Sequence, residues 1–352
     1  MSAISPATSD LIDYRIAWLD QEMEASLASA SGDLDLYHWE RYHLGWRDEQ
    51  LRPMTEAERR KHGGKRLRGV LTVLACEAAG GAGHDAAAGG AAIEFIHNFS
   101  LVHDDVEDKD EERRHRPTVW KLWGIPHAIN VGSNMQAMVD VSILRLGAHY
   151  PAEKVVQAFQ VITRAILLMT EGQYLDIAAE DAAEMSLAGY FRMIGGKTAA
   201  LIEAALRLGA LLGTADPDRQ EKVDALARFG REFGLAFQCR DDYLGIWGNP
   251  GSTGKPVGSD LIQGKRSLPV VEALAAAPAG MDPGRRLRES LAARDVRAVL
   301  ELMETLGTAE RVKAHVERHI GQALAALEAA GVEGPPCEAI REIARYALGR
   351  ES

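Results

Sequence analysis

The sequence predicts an all-α fold, on three observations. Hydrophobic residues make up 46% of the 352 positions but aromatics only 6%, so the core must be filled by alanine and leucine rather than the residues strands favour. Apolar residues recur at helical spacing over long stretches. The glycine spacing and alternating parallel strands of a dinucleotide fold are missing.

Residues 1–9 read as a flexible tail, with Asp10 capping a first helix that carries Leu11, Ile16 and Leu19. Gly63 to Ala92 joins a basic cluster to an Ala/Gly-rich stretch, small residues that suit a tight helical hairpin. One long helix is predicted from Ala91 to about Glu112, apolar first (Ile93, Phe95, Ile96, Phe99, Leu101, Val102) and acidic after. Further helices cover Ala152 to about Glu180, Met185 to Leu212 and Asp218 to Trp247. Glycines and prolines from Gly248 to Gly258 mark a loop, and helices return after Leu268 without an assignable motif. No short repeat and no Pro- or Ser-rich linker divides the chain, so residues 10–352 are expected to form a single domain.

A formal charge of −11 and a pI near 5.5 argue against nucleic-acid binding, which needs a concentrated basic surface. Cys76, Cys239 and Cys337 are far apart and lack metal-ligand spacing, so they read as reduced core residues of a cytoplasmic protein. The N-terminus has no basic region followed by an apolar run, and no uninterrupted apolar stretch is long enough to span a bilayer.

Chemistry concentrates in two acidic clusters. In His103-Asp104-Asp105-Val106-Glu107-Asp108, Asp104 and Asp108 fall one helical turn apart on one face, with Asp105 beside them. Like charges 4 Å apart repel by roughly 4 kcal/mol at an effective dielectric of 20, so such a pair entering a core asks for a cation. Oxygen ligands select a hard ion such as Mg²⁺, which shares its sphere with water and substrate phosphates. The second cluster, Gln238-Cys239-Arg240-Asp241-Asp242, again follows an apolar run, Phe233 to Phe237. Either pair alone reads more readily as a solvated helix end.

Basic elements are interleaved with them. Gly63-Gly64-Lys65-Arg66-Leu67-Arg68 puts glycines, which let backbone approach a phosphate, before three cations. Arg113 and Arg114 follow the first cluster, and Gly195-Gly196-Lys197-Thr198 and Gly254-Lys255-Pro256 repeat the glycine-before-lysine pattern. None has the spacer of a Walker A loop, which disfavours a kinase or ATPase and leaves metal-assisted departure of a diphosphate.

These residues together resemble the trans-prenyl diphosphate synthases, whose products include geranyl, farnesyl and geranylgeranyl diphosphates. The match runs from about Gly63 to Pro269: GGKRLR at 63–68, IHNFSLVHDDVED at 96–108, RRHRPT at 113–118, GQYLDI at 172–177, GGKT at 195–198, FQCRDD at 237–242 and GKPVGSDLIQGKRSLP at 254–269. The resemblance implies a helical bundle around a deep central cavity, assembled as a homodimer, with isopentenyl diphosphate and an allylic diphosphate as substrates. It implies about three Mg²⁺ ions: two on Asp104 and Asp108, and a third on Asp241 supported by Asp242 and Asp260, with Asp105 part of the same catalytic cluster. Arg113, Lys197 and Lys255 would grip the allylic diphosphate. Lys65, Arg68, His97 and Arg114 would hold that of isopentenyl diphosphate, while Gln173, Asp176, Thr198, Gln238 and Lys265 would line or brace the site. His97 lies seven residues before Asp104, two turns away on nearly the same face, so it reads as a ligand-facing residue rather than core.

Three departures stand out. Gly245 replaces the third aspartate many relatives carry in the second cluster, with Asp260 placed to compensate. Gly69 replaces the usual proline, and Ser133 follows Gly132 where an aspartate is common. Phe99, five residues before Asp104, is large enough to form a floor under a growing chain, and no two-residue insertion separates Asp105 from Asp108. In this the pattern resembles the archaeal kind of geranylgeranyl diphosphate synthase, a resemblance that implies a C20 product, with C15 as the alternative. A terpene cyclase or a non-catalytic partner subunit would also use this fold. The cyclase has no need of a second diphosphate pocket, and the partner subunit no need of both aspartate clusters.

Overall fold

A computed structural model describes residues 4–30, 34–181, 184–215, 220–249, 257–277 and 280–349. The described chain is mostly helical, with one two-stranded hairpin and an isolated bridge between Arg47 and Pro53. Helix α1 runs Pro6–Ala30, α2 Asp35–His43, α3 Glu56–His62 and α4 Leu67–Ala78. After a 3₁₀ turn at Gly83–Ala86 comes α5, Ala87–Glu107. The hairpin strands β1 (Glu112–Arg113) and β2 (Arg116–Pro117) follow, then α6 (Val119–Trp123), α7 (Ile125–Arg145) and α8 (Ala152–Asp181). Next are α9 (Leu187–Ile194), a π-helical turn (Gly195–Ala199), α10 (Ala200–Gly213) and α11 (Gln220–Trp247). The chain ends with α12 (Ser259–Gln263), α13 (Leu268–Ala276), α14 (Asp282–Ala292), α15 (Val296–Thr305), α16 (Thr308–Ala329) and α17 (Pro335–Gly349).

The first helix begins before Asp10. Ser5 Oγ accepts the Thr8 N–H at 3.3 Å and Pro6 takes the first helical position, so the Ser-Pro pair starts the helix inside the segment expected to be a tail. The long helix also shifts, to Ala87–Glu107, and stops where Lys109 turns left-handed (φ 56°). Arg113 and Arg114 consequently sit on the hairpin and not on a helix. The predicted 185–212 helix is two helices joined by the π turn.

The main core is built from α1, α2, α4, α5, α7, α8, α10, the first half of α11, the end of α16 and α17, and contains Ile93, Phe95, Ile96 and Phe99. A second core gathers α9, α11, α13 and α16 around Tyr190 and Leu235, and a third unites the end of α11 with α12 to α15. The cysteines are free and buried, and no helix of the described residues is long and apolar enough to cross a membrane.

Candidate active site

Helix α5 carries the first acidic cluster at its end. The Asp108 N–H closes the last turn on the Asp104 carbonyl at 2.8 Å, which keeps the two side chains stacked as their spacing requires. Burial pushes Asp104 up to about 7, against the pull of Lys197 and with the push of Asp108 and Glu107. Asp108 is raised by burial too, while Lys197 and Lys265 draw it down. Asp105 points elsewhere: it is 1% exposed, accepts from Arg113 Nε at 2.6 Å and is raised by burial to about 6. Arg113, expected to grip a diphosphate, is thereby engaged with Asp105.

The π turn brings the cations of the next motif against this cluster. A Cβ on Gly172 of α8 would lie 2.1 Å from the Lys197 nitrogen, and one on Gly196 would lie 2.5 Å from the Leu168 carbonyl. Glycine at both positions lets α8 and the turn touch backbone to backbone. This places Asp176 of α8 in an ion pair with Lys197 Nζ. Asp176, Asp104 and Asp108 together raise Lys197 against the effect of its burial. Gln173, one residue after Gly172, donates to Glu107 at 2.7 Å. A widened turn inserted where two helices meet is a common device for aiming functional side chains.

Thr198 then joins the π turn to the second acidic cluster. Its hydroxyl donates to Gln238 Oε1 at 2.7 Å, and Gln238 Nε2 donates to Asp242 Oδ1 at 2.8 Å. Asp242 Oδ2 accepts from the Tyr190 hydroxyl and from the Leu268 N–H, both at 2.7 Å. With both oxygens taken by protein donors, Asp242 braces α11 from within. Burial still raises it to about 7. Asp241, on the neighbouring position, is exposed.

Gly245 explains itself in relation to Asp260. A Cβ at 245 would lie 2.2 Å from Asp260 Oδ2 and 2.6 Å from its Cγ, so the Asp260 carboxylate fills the space a side chain at 245 would take. The carboxylate missing from α11 is supplied from α12. Lys255 and the glycine and proline beside it lie outside the described residues.

The remaining cations form a separate pocket at the other end of the active face of α5. The hairpin reverses at Arg114 and His115, both left-handed (φ 53° and 59°), a conformation that costs on the order of 1 kcal/mol or more for each non-glycine residue. Tyr42 and Arg116 staple it down: the Tyr42 hydroxyl donates to the Pro117 carbonyl at 2.7 Å, and Arg116 donates to the Arg47 carbonyl at 2.7 Å. Arg114 is thus delivered to Gly64 (φ +77°), where a Cβ would meet its guanidinium at 2.8 Å. Arg68 Nη1 lies 3.3 Å from His97 Nε2, and Arg68 Nε is buried with no partner among the described residues. Burial, then Arg68, Arg114, Arg113 and His43, holds His97 well below its usual range. Arg114 is lowered to about 10, chiefly by burial. Buried cations with an orphaned N–H describe an anion site.

Behind this pocket, Glu94 accepts the Gly69 N–H at 2.8 Å, a bond that proline at 69 would forbid. Lys65 Nζ lies 6.0 Å from the Tyr346 ring of α17. Arg66 faces away, buried and committed to Asp20 and to the Gly63 and Leu44 carbonyls. Ser133 is exposed on the outer side of α7, away from these contacts. Phe99 is buried in the main core with its ring edge-on to His103.

Sequence reading therefore located Asp104, Asp108, Lys197, Thr198, Gln238 and Asp242 on joined elements, and Arg68, His97 and Arg114 in one pocket. It missed Tyr190, Glu94 and His43. Glu94 had a signal, a charge in the apolar half of α5; Tyr190 had none, because its partner is 52 residues away.

Asp104, Asp108, Asp241 and Asp260 offer oxygen donors only, and burial favours protonation of Asp104 and Asp108 unless a cation is supplied. The set suits a hard divalent ion. No three His, Cys, Asp or Glu side chains among the described residues stand close enough to hold one unaided.

The profile of the polyprenyl synthetase family matches residues 53–306. The (2E,6E)-farnesyl diphosphate synthase of Mycobacterium tuberculosis (strain ATCC 25618 / H37Rv) is 38% identical over 320 residues, covering 88% of this chain and 85% of that one. The geranylgeranyl diphosphate synthase of the same organism is 38% identical over 305 residues, covering 86% and 84%. The crystal structure of a polyprenyl synthetase from Streptomyces coelicolor A3(2) superposes with a TM-score of 0.84 at 35% identity, covering 97% of this chain and 99% of that chain. The chain belongs to the polyprenyl synthetase family.

Proposed function

We propose that the protein is a Mg²⁺-dependent short-chain prenyltransferase that joins isopentenyl diphosphate to an allylic diphosphate, with a C20 geranylgeranyl product. The observation that carries the reading is the pair of separate pockets on α5, one cationic around Arg68, His97 and Arg114, one of carboxylates around Asp104 and Asp108. A cyclase needs one diphosphate pocket, whereas the cationic cluster around Arg68, His97 and Arg114 supports a second. Relatives named for both C15 and C20 products lie at equal identity, so the length rests on Phe99 under the first cluster.

In this reading Asp104 and Asp108 hold about two ions on one wall, and Asp241, with Asp260 in the place left open by Gly245, about one on the other. Bound Mg²⁺ would neutralise the departing diphosphate as a Lewis acid. Lys197, kept charged by Asp176, Asp104 and Asp108, adds a fixed positive charge where negative charge builds on that group. Lys265 joins it from the second wall, and Thr198 and Gln238 hold the walls in register. Arg113 orients Asp105 instead of meeting substrate. Arg68, Arg114, His97 and Lys65 hold isopentenyl diphosphate with its alkene toward the allylic carbon. The alkene attacks as the C–O bond breaks, and the proton lost from the new cation passes to the diphosphate just released. The apolar residues of α5 exclude water from that cation.

Assembly as a homodimer is part of the proposal. Ile125, Ile129 and Leu144 on α7 and Val156 and Leu167 on α8 are exposed on outward faces of adjacent helices, an apolar surface that a second copy would cover. Light scattering at micromolar concentration should give twice the chain mass.

The direct test is incubation with Mg²⁺, isopentenyl diphosphate and, in turn, dimethylallyl, geranyl or farnesyl diphosphate, with products sized by mass spectrometry. Elongated C20 diphosphate is expected. Elongation stopping at C15 would correct the length alone, whereas a released hydrocarbon would replace the reading with a cyclase.

A further inference from the structure

We propose that His315 and His319, one turn apart on α16, are positioning residues for the second acidic cluster, an inference that rests on the function proposed above. They lie in the C-terminal third, where no motif could be assigned, yet they tie together each element that holds Asp242. Three donors fix that carboxylate: Gln238 from α11, the Leu268 N–H at the start of α13, and the Tyr190 hydroxyl from α9. His319 Nδ1 meets Glu232 Oε2 of α11 at 2.6 Å, and His315 Nε2 meets Glu272 Oε1 of α13, one turn beyond Leu268, at 2.5 Å. Phe191, next to Tyr190 on α9, packs its ring 5.1 Å from the His315 ring and 5.4 Å from the His319 ring. One helix thus holds the three elements through a single pair of imidazoles.

The proton arrangement is fixed from outside. Arg318 Nη2 lies 2.8 Å from His315 Nδ1 and 3.3 Å from His319 Nε2. A guanidinium only donates, so those two nitrogens accept, and the opposite nitrogen of each ring carries the hydrogen it gives to its glutamate. The four inner side chains are between 8% and 17% exposed, so losing one imidazole leaves a buried glutamate without its donor. The strain would relax through α11 and α13, shifting Asp242 and with it Asp241. Direct outer partners of metal ligands typically change metal affinity about 10- to 100-fold when removed, and these imidazoles, which act one step further out through Asp242 on Asp241, belong at the lower end.

The test titrates Mg²⁺ into protein saturated with inorganic pyrophosphate, followed by calorimetry, alongside the KM for isopentenyl diphosphate. His315→Leu and His319→Leu should raise the Mg²⁺ midpoint about tenfold and leave that KM within about twofold. His315→Gln and His319→Asn, which keep a donor at Nε2 and Nδ1 respectively, should return the midpoint to within about threefold of wild type. Should the leucine variants fail to fold, Arg318→Met, on the exposed side, still reads the effect as a smaller shift in the same direction. An unchanged midpoint in folded leucine variants or, failing those, in Arg318→Met would overturn the inference, as would equal changes in midpoint and KM. A wild-type protein that binds no Mg²⁺ with pyrophosphate would overturn the functional reading itself.

Discussion

The two ends of the active face of α5 meet one ligand chemistry in opposite ways. At the His97 end, buried arginines and imidazoles crowd together, and burial lowers His97 and Arg114 because positive charge there has too little opposite charge near it. Two turns on, burial raises Asp104 and Asp108 for the converse reason. Each pocket is uncomfortable in its own charge, and what relieves it differs. In the function proposed above, an anion alone completes the first, whereas the second takes a cation and then an anion. Misfit charge of this kind is the mark of a site rather than of a fold, since a fold gains nothing from burying like charges together.

This contrast can be broken from either side. The largest effect belongs to Asp104→Asn, expected to lower turnover by about 10³-fold while isopentenyl diphosphate still binds, measured by steady-state rates and calorimetry. Arg68→Met should instead raise the KM for isopentenyl diphosphate about 100-fold and leave the Mg²⁺ dependence unmoved, because it removes one buried charge from the metal-free pocket. Gln238→Leu cuts the link between Thr198 and Asp242 and should weaken Mg²⁺-dependent pyrophosphate binding about tenfold.

Outside both pockets, at Glu40, the expected effect is on stability and leaves the chemistry untouched. Glu40 is fully buried, accepts from Asn134 at 2.6 Å, and is pushed by burial from 4.5 to about 7. A carboxyl whose folded pKa lies above its unfolded one loses stability as pH rises from 4.5 to about 7, and the loss is complete above that. Glu40→Gln should therefore be more stable than wild type at pH 8, by about 3 kcal/mol, and match it below about pH 4.5. The opposite order would mean that Glu40 is held charged.

What could be read beforehand was what local spacing decides. Asp104 and Asp108 share a face because any helix places fourth neighbours so, and Lys197 and Thr198 are marked by their glycines. What could not be read depends on distant partners or on uncommon backbone. Arg114 and His115 form a left-handed turn without the asparagine or glycine that announces one. The π turn at Gly195–Ala199 reads in sequence as continuous helix. Asp242 looks like a metal ligand until Tyr190 and the Leu268 N–H are seen to occupy it, and the first helix starts at Pro6 because a Ser-Pro pair outranks a later aspartate. Gly245 is intelligible only beside Asp260, which a chain reversal brings against it.

The claim that the two pockets differ in what completes them is tested most directly by titrating isopentenyl diphosphate and geranyl diphosphate separately into metal-free protein, then repeating both with Mg²⁺. Isopentenyl diphosphate should bind alike in both conditions, while geranyl diphosphate should bind measurably only with Mg²⁺. Equal dependence of both ligands on the metal would contradict the division of labour along α5.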